Sequence, residues 1–166
     1  GSTFIARSLD VDVKLLTSLL NRGARHKGTS FVEVYQDCNV FNHEAWFYAS
    51  QKDSRSENTI VLEHGKPLVF GKEHENAICR VGDAIEIGSP ESDSVLVHDE
   101  TSIEQAFLLS QLFQPAFPEP LGVFYIDDSQ PTYNDMLHEQ IDDVKTKHGD
   151  VDLQTLVSGS HTWTIR

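Results

Sequence analysis

At 166 residues, with 26 acidic against 13 basic side chains, the chain has the length of one ordinary domain and a formal charge of −13. No apolar run approaches the roughly 18 residues of a membrane span. No basic stripe or basic-aromatic cluster of the kind nucleic-acid binders carry is present either, so neither a membrane nor a nucleic acid is an expected partner.

The acidity is uneven: residues 91–166 hold 14 acidic against 3 basic side chains, residues 1–90 hold 12 against 10. A solvated, solubilising surface is the first reading of such a half, and a docking face for a basic partner the second. The only cysteines are Cys38 and Cys79, with no C-x-x-C pair, which points to a reducing, cytoplasmic setting. Gly1-Ser2 reads as the scar of a removed expression tag, and the apolar opening Thr3-Phe4-Ile5-Ala6 as a cut inside a longer polypeptide.

In chain order, Thr3 to Arg7 is expected as a short strand. Asp10 or Asp12 then offers an N-cap for a helix running to about Lys27, with Val13, Leu16, Leu20 and Ala24 inward and Gly28 as its stop. Thr29 to Cys38 reads as a second, mostly buried strand, rich in β-branched and aromatic residues. Strand, helix, strand over this length is the βαβ pattern of a parallel sheet.

Asn39 to Tyr48, with Phe41, Trp46, Phe47 and Tyr48, has no period and reads as a functional or docking loop; Gln51 to Asn58 reads as an exposed connector. Short strands are expected at Thr59–Leu62, Pro67–Phe70 and Ala84–Ile87, making a small β-rich insertion. Ser102 to Phe113 has helical period. The three prolines of residues 114–120 should carry the chain across the surface in extended form. A strand at Leu121–Ile126 follows, then an amphipathic helix at Thr132–Lys147 with Tyr133, Met136, Leu137 and Ile141 inward, stopped by Gly149. Asp152 to Trp163 should form a short helix and a terminal hook. The expected fold class is therefore α/β: a partial parallel sheet with a βαβ unit at the N-terminus, then a small β-rich segment and a helical C-terminal extension.

Cys38 stands out by position, because it falls at the C-terminal end of the expected parallel strand, where open α/β sheets place ligands. A free cysteine more often packs as a small hydrophobe, and that is the expectation for Cys79. The eight histidines form no H-E-x-x-H or similar ligand set and read as surface or capping residues. No G-x-S-x-G, phosphate loop or G-x-G-x-x-G is present.

The run from His26-Lys27-Gly28-Thr29-Ser30-Phe31-Val32-Glu33-Val34-Tyr35-Gln36-Asp37-Cys38 to Asn42 resembles the beta subunits of 2-oxoacid:ferredoxin oxidoreductases, most closely the 2-oxoglutarate type. Thr3–Arg7, Leu62–Gly71, Val97–Glu100, Gly122–Phe124, Pro131–Tyr133 and Thr162–Trp163 continue the likeness, so it covers nearly the whole chain and implies the C-terminal half of such a subunit. Residues 3–50 would then be the last part of the thiamine-diphosphate-binding α/β domain and 51–166 a C-terminal extension.

The resemblance implies a parent enzyme that decarboxylates a 2-oxoacid, joins the acyl group to coenzyme A and passes electrons to ferredoxin. It assigns Cys38 as the fourth thiolate of a [4Fe-4S] cluster. The other three thiolates and the segment binding magnesium and thiamine diphosphate would lie in the N-terminal half of the subunit. That half, the alpha subunit and ferredoxin are the implied partners; no catalytic or thiamine-contacting residue is implied for this stretch, and by itself it should bind no cofactor and be inactive. Asp37 departs from the family pattern, and its charge beside a cluster would lower the potential. The competing reading is a non-catalytic interaction or regulatory domain related to this subunit half.

Overall fold

The computed structural model describes residues 1–159, 161–163 and 165. The chain divides into a unit of residues Gly1–Gln130 and a second of Pro131–Arg166.

In the first unit, strand β1 (Phe4–Leu9), helix α1 (Val13–Arg25) and strand β2 (Ser30–Tyr35) form the expected βαβ element, with β1 and β2 parallel from Phe4↔Ser30 to Leu9↔Tyr35. Asp12 starts α1 by accepting a hydrogen bond from Leu15 N at 3.0 Å. The inward face of α1 is not the expected one. Leu19 is buried and Leu15 packs with it against Phe4, Ala6 and Val123, while Val13 and Leu20 are 68% and 51% exposed. Gly23 lies on the same stripe, where a Cβ would stand a tight 3.3 Å from the Phe4 ring, so its absence eases the close packing of α1 on β1. The helix also ends at Arg25, before Gly28, whose φ of +146° instead serves a close approach to the Thr3 hydroxyl.

Strand β2 is shorter and more exposed than its composition predicts. It stops at Tyr35, and Phe31 is 56% exposed, because β2 is the edge of a four-stranded sheet ordered β2-β1-β7-β3. Strand β3 (Thr59–Leu62) runs parallel to β7 (Glu119–Ile126), and β7 runs antiparallel to β1. The sheet is thus two parallel pairs joined by one antiparallel contact, and it draws strands from both sides of residue 50. The proline stretch also differs from expectation. It does not stay on the surface, since Pro118 and Pro120 are fully buried and Glu119 already belongs to β7. Pro120 is tolerated because at that point β7 pairs only with β3, the ladder to β1 beginning at Gly122, so a missing N–H leaves one neighbour satisfied.

Between these strands, helices α2 (Phe47–Ser50) and α3 (Lys52–Asn58) replace the expected connector. A separate antiparallel sheet is ordered β4 (Val69–Phe70), β5 (Asn76–Val81), β6 (Ala84–Gly88), with β5 unanticipated from the sequence. Helix α4 (Ile103–Ser110) then buries Leu109 into a core shared with Ile60, Leu62, Leu68, Phe70, Ile78 and Phe124.

In the second unit, α5 (Tyr133–His148) opens with a capping box between Thr132 and Asp135 and ends at Gly149, and α6 (Leu153–Ser158) follows. Tyr133, Met136, Leu137 and Ile141 are exposed rather than inward, at 70%, 50%, 36% and 41%. The expected terminal hook overlaps Ser160, which lies outside the described residues.

Candidate functional site

Cys38 lies three positions beyond the end of β2, in a loop that leaves the C-terminal end of the parallel β1–β2 pair. The loop folds on itself: Asn42 N donates to Cys38 O at 2.9 Å. Its turn brings the backbone N–H groups of Phe41, Val40 and Asn42 toward the Cys38 sulfur. The first two of these hold the thiol below its ordinary range most strongly, against partial burial and the Asp37 charge. Cys38 is half-buried and free, while the side chains of Val40 and Phe41 are 80% and 91% exposed. The Asp37 carboxylate is engaged within the loop: its Oδ1 accepts from Glu44 N at 2.8 Å and its Oδ2 lies 3.1 Å from His43 Nδ1.

Behind this loop is a polar and aromatic cluster that was not expected from the sequence. Glu119 is 3% exposed, and its Oε1 accepts from Arg7 Nη1 at 2.7 Å and from the Tyr35 hydroxyl at 2.8 Å. Tyr48 OH donates to Oε2 at 3.3 Å. The Arg7 guanidinium also meets Glu33 at 2.7 Å and is held between the rings of Tyr35 and Phe124, at 4.9 and 5.0 Å. Burial first, and the Glu119 carboxylate second, push the Tyr35 hydroxyl well above its usual range. Tyr48 is pushed up to about 12, by burial and then by the same carboxylate. The Trp46 indole stacks on Tyr35 with centroids 3.7 Å apart and planes 13° from parallel. The one legible signal was Glu119 itself, a lone carboxylate between two prolines in an apolar stretch.

The second cysteine and the histidines fall elsewhere. Cys79 is buried in β5, where it packs against Gly88. His98 is not a surface residue: it is 1% exposed and bonds Val123 O at 2.8 Å and Gln105 Oε1 at 3.1 Å, crosslinking α4 and β7. The His26 side chain is likewise 1% exposed, between Thr3 at 2.7 Å and Asp128 at 3.0 Å. Asp10, one residue past β1, donates its N–H to Tyr35 O and has a buried Oδ1 with no hydrogen-bond partner. A cavity of ≈ 510 Å³ lies away from Cys38, against β3 at the opposite edge of the sheet, between Lys52, Arg55, Lys66 and His74.

Among the described residues, no group of three or more His, Cys, Asp or Glu side chains is assembled that could hold a metal ion. The donor set at Cys38 is one thiol with backbone N–H groups on its sulfur. That suits one corner of an iron-sulfur cluster, where hydrogen bonds to sulfur are normal, and does not suit a complete site. No helix among the described residues is long and apolar enough to cross a membrane.

With this fold and this loop, the chain resembles part of the beta subunit of a 2-oxoacid:ferredoxin oxidoreductase, as its sequence led us to expect. It is 33% identical to the 2-oxoglutarate oxidoreductase subunit KorB of Mycobacterium tuberculosis over 99% of its own length and 46% of that subunit. It is 25% identical to the 2-oxoacid:ferredoxin oxidoreductase subunit beta of a Sulfolobus species, over 82% of its length and 36% of that protein. The chain therefore spans about half, or less, of the curated relatives it matches. A solved 2-oxoglutarate:ferredoxin oxidoreductase from Magnetococcus marinus, with 2-oxoglutarate, coenzyme A and succinyl-CoA bound, shares the fold. Its TM-score is 0.54 at 18% identity, covering 95% of this chain and 39% of that one. No family model matches.

Proposed function

We propose that this chain is the C-terminal part of the beta subunit of a 2-oxoglutarate:ferredoxin oxidoreductase and that Cys38 supplies one thiolate to a [4Fe-4S] cluster. The observation that carries the reading is the Cys38 loop: a half-buried, free thiol just beyond the C-terminal end of a parallel strand pair, in a turn whose backbone amides, Phe41 and Val40 foremost, hold it below its ordinary range. These donors favour the thiolate, the form in which cysteine binds metal. Bound, such a cluster supplies one-electron transfer. The chain's own residues hold one sulfur in place, surround it with backbone dipoles and present the exposed Val40 and Phe41 side chains beside it.

In this reading the remaining thiolates, thiamine diphosphate and magnesium belong to the N-terminal half of the subunit. Coenzyme A, the alpha subunit and ferredoxin are used by the assembled, cytoplasmic enzyme. The chain by itself then neither binds thiamine diphosphate nor oxidises a 2-oxoacid.

The test is Cys38→Ser in the intact subunit, with iron, acid-labile sulfide and cluster absorbance measured per protein. We expect cluster content and ferredoxin reduction to fall while the fold of this half persists. A variant that keeps a normal cluster and normal electron transfer would make Cys38 a packing residue and favour an interaction or regulatory domain instead.

A further inference from the structure

The loop 36–45 has a mechanical peculiarity. Among the described residues, its hydrogen bonds and ion pairs run within the loop or to the start of α2: Asn42 N to Cys38 O, Ala45 N to Asn42 O, Phe47 N to Glu44 O, and Asp37 to Glu44 N and His43. None reaches the sheet. The loop is a knot bonded to itself, and its orientation is set by what happens at its two ends.

The upstream end is Tyr35, the last residue of β2. It is fixed three times over: by register with Leu9, by Asp10 N donating to its carbonyl at 3.0 Å, and by its hydroxyl on the buried Glu119 carboxylate at 2.8 Å. The downstream end is Trp46, the residue capping α2, which makes no side-chain cap hydrogen bond. Its indole lies on the Tyr35 ring at 3.7 Å and 13°, with Tyr48 edge-on at 6.3 Å, beside the core of Leu9, Ala49 and Leu121. The chain leaves the sheet at one ring of the stack and returns at the other.

We propose that the Tyr35–Trp46 stack is the positioning device for Cys38, clasping the two ends of loop 36–45 so that the thiol is presented in one orientation to its cluster. This rests on the reading of Cys38 as a cluster ligand. Arg7 and Glu119 act one step further back: they hold the Tyr35 ring, the ring holds Trp46, and the stack aims the loop. Trp46 is thus a positioning residue that touches no iron.

The experiment uses the intact subunit, purified with its cluster, in four variants: Trp46→Leu, Trp46→Met, Trp46→Phe and Cys38→Ser. Two non-aromatic replacements are included so that one misfolded protein does not decide the outcome. Iron and sulfide content, the electron paramagnetic resonance spectrum of the reduced cluster and the rate of iron release to a chelator are read alongside thermal melting. Outer-shell partners of metal ligands typically change affinity by roughly 10–100-fold, so Trp46→Leu and Trp46→Met should release iron roughly tenfold faster and broaden the spectrum while remaining folded. Trp46→Phe keeps an aromatic face and should return release to within about twofold of the parent. The proposal is overturned if both non-aromatic variants keep the parent rate and spectrum while Cys38→Ser loses its iron; the ligand reading then survives without the clasp. If Cys38→Ser keeps its iron, the ligand reading itself fails and the proposal falls with it.

Discussion

The guanidinium of Arg7 reaches the carboxylate of Glu119 at 2.7 Å across 112 residues of sequence, joining the first strand to β7 at a point where Glu119 is 3% exposed. Removing one member of such a pair leaves the other charged and poorly solvated, at a cost of about 3–5 kcal/mol. The two halves are not equivalent. Arg7 without Glu119 keeps Glu33 at 2.7 Å and is 15% exposed, whereas Glu119 without Arg7 keeps only two tyrosine hydroxyls. We expect Arg7→Met to lower unfolding free energy more than Glu119→Gln, and the double variant to lose less than the sum. Urea denaturation of all three, read as a double-mutant cycle, checks this; additive losses would mean the pair contributes no coupling.

Tyr35 and Tyr48 link stability to alkaline pH. Both hydroxyls titrate above the ordinary tyrosine value of 10.0 in the folded chain, Tyr48 at about 12, because burial and then Glu119 disfavour the phenolate. A folded-state value raised above the unfolded one means the stabilisation is complete below about pH 10 and is lost as pH rises toward and through the folded values. The melting temperature should therefore fall from about pH 10 upward. Tyr35→Phe combined with Tyr48→Phe should flatten that fall while lowering the melting temperature at neutral pH. An unchanged alkaline slope in the double variant would count against the linkage.

Gly122 is the residue at which β7 belongs to both ladders, opposite Arg7 on one side and Leu62 on the other. Its φ is +131°, and a Cβ there would stand 2.7 Å from the carbonyl oxygen of Leu62. Both the backbone conformation and the space exclude a side chain, so Gly122→Ala should cost ~2–4 kcal/mol. Gly65→Ala is the comparison: its φ of +73° is also unfavourable for alanine, but open space surrounds it, so its loss should be smaller. Equal losses for the two would show that conformation alone, without the close approach, governs the effect.

Cys79→Ser is expected to affect packing alone. The side chain is 3% exposed in β5, and a Cβ on Gly88 would lie 2.8 Å from its sulfur, so a serine hydroxyl there replaces a soft atom in a tight apolar seat. An unpaired buried hydroxyl costs ~1–3 kcal/mol. Stability should fall by that amount on thermal melting, while iron content in the intact subunit stays at the parent level. Loss of iron without loss of stability would give Cys79 a role it has not been assigned.

Local pattern was enough for the elements whose signals lie within a few residues. An aspartate cap at Asp10 or Asp12, the parallel pairing of β1 with β2, and the Thr132 start and Gly149 end of α5 all follow from propensity, capping and period, which act over one or two turns. The aromatic loop after β2 was legible for the same reason, since a strand-like run gives way to aromatics without period, but its start was set too late: the run through Cys38 reads as strand, whereas β2 ends at Tyr35 and leaves Cys38 in the loop. Which face of α1 turns inward was not legible, because Leu15 and Leu19 alternate with Leu16 and Leu20 and only contact with Phe4 and Val123 chooses between the two stripes. The placement of β7 between β1 and β3, the burial of Pro118 and Pro120, and the cluster of Arg7, Tyr35, Trp46, Tyr48 and Glu119 are likewise decisions of tertiary structure. A charge beside proline reads as surface until a partner far along the chain is brought within hydrogen-bond reach of it, and no local rule encodes that distance. Residue order alone places a thiol at the end of a parallel strand; only the tertiary structure ends that strand at Tyr35 and packs Trp46 back on it beyond the thiol.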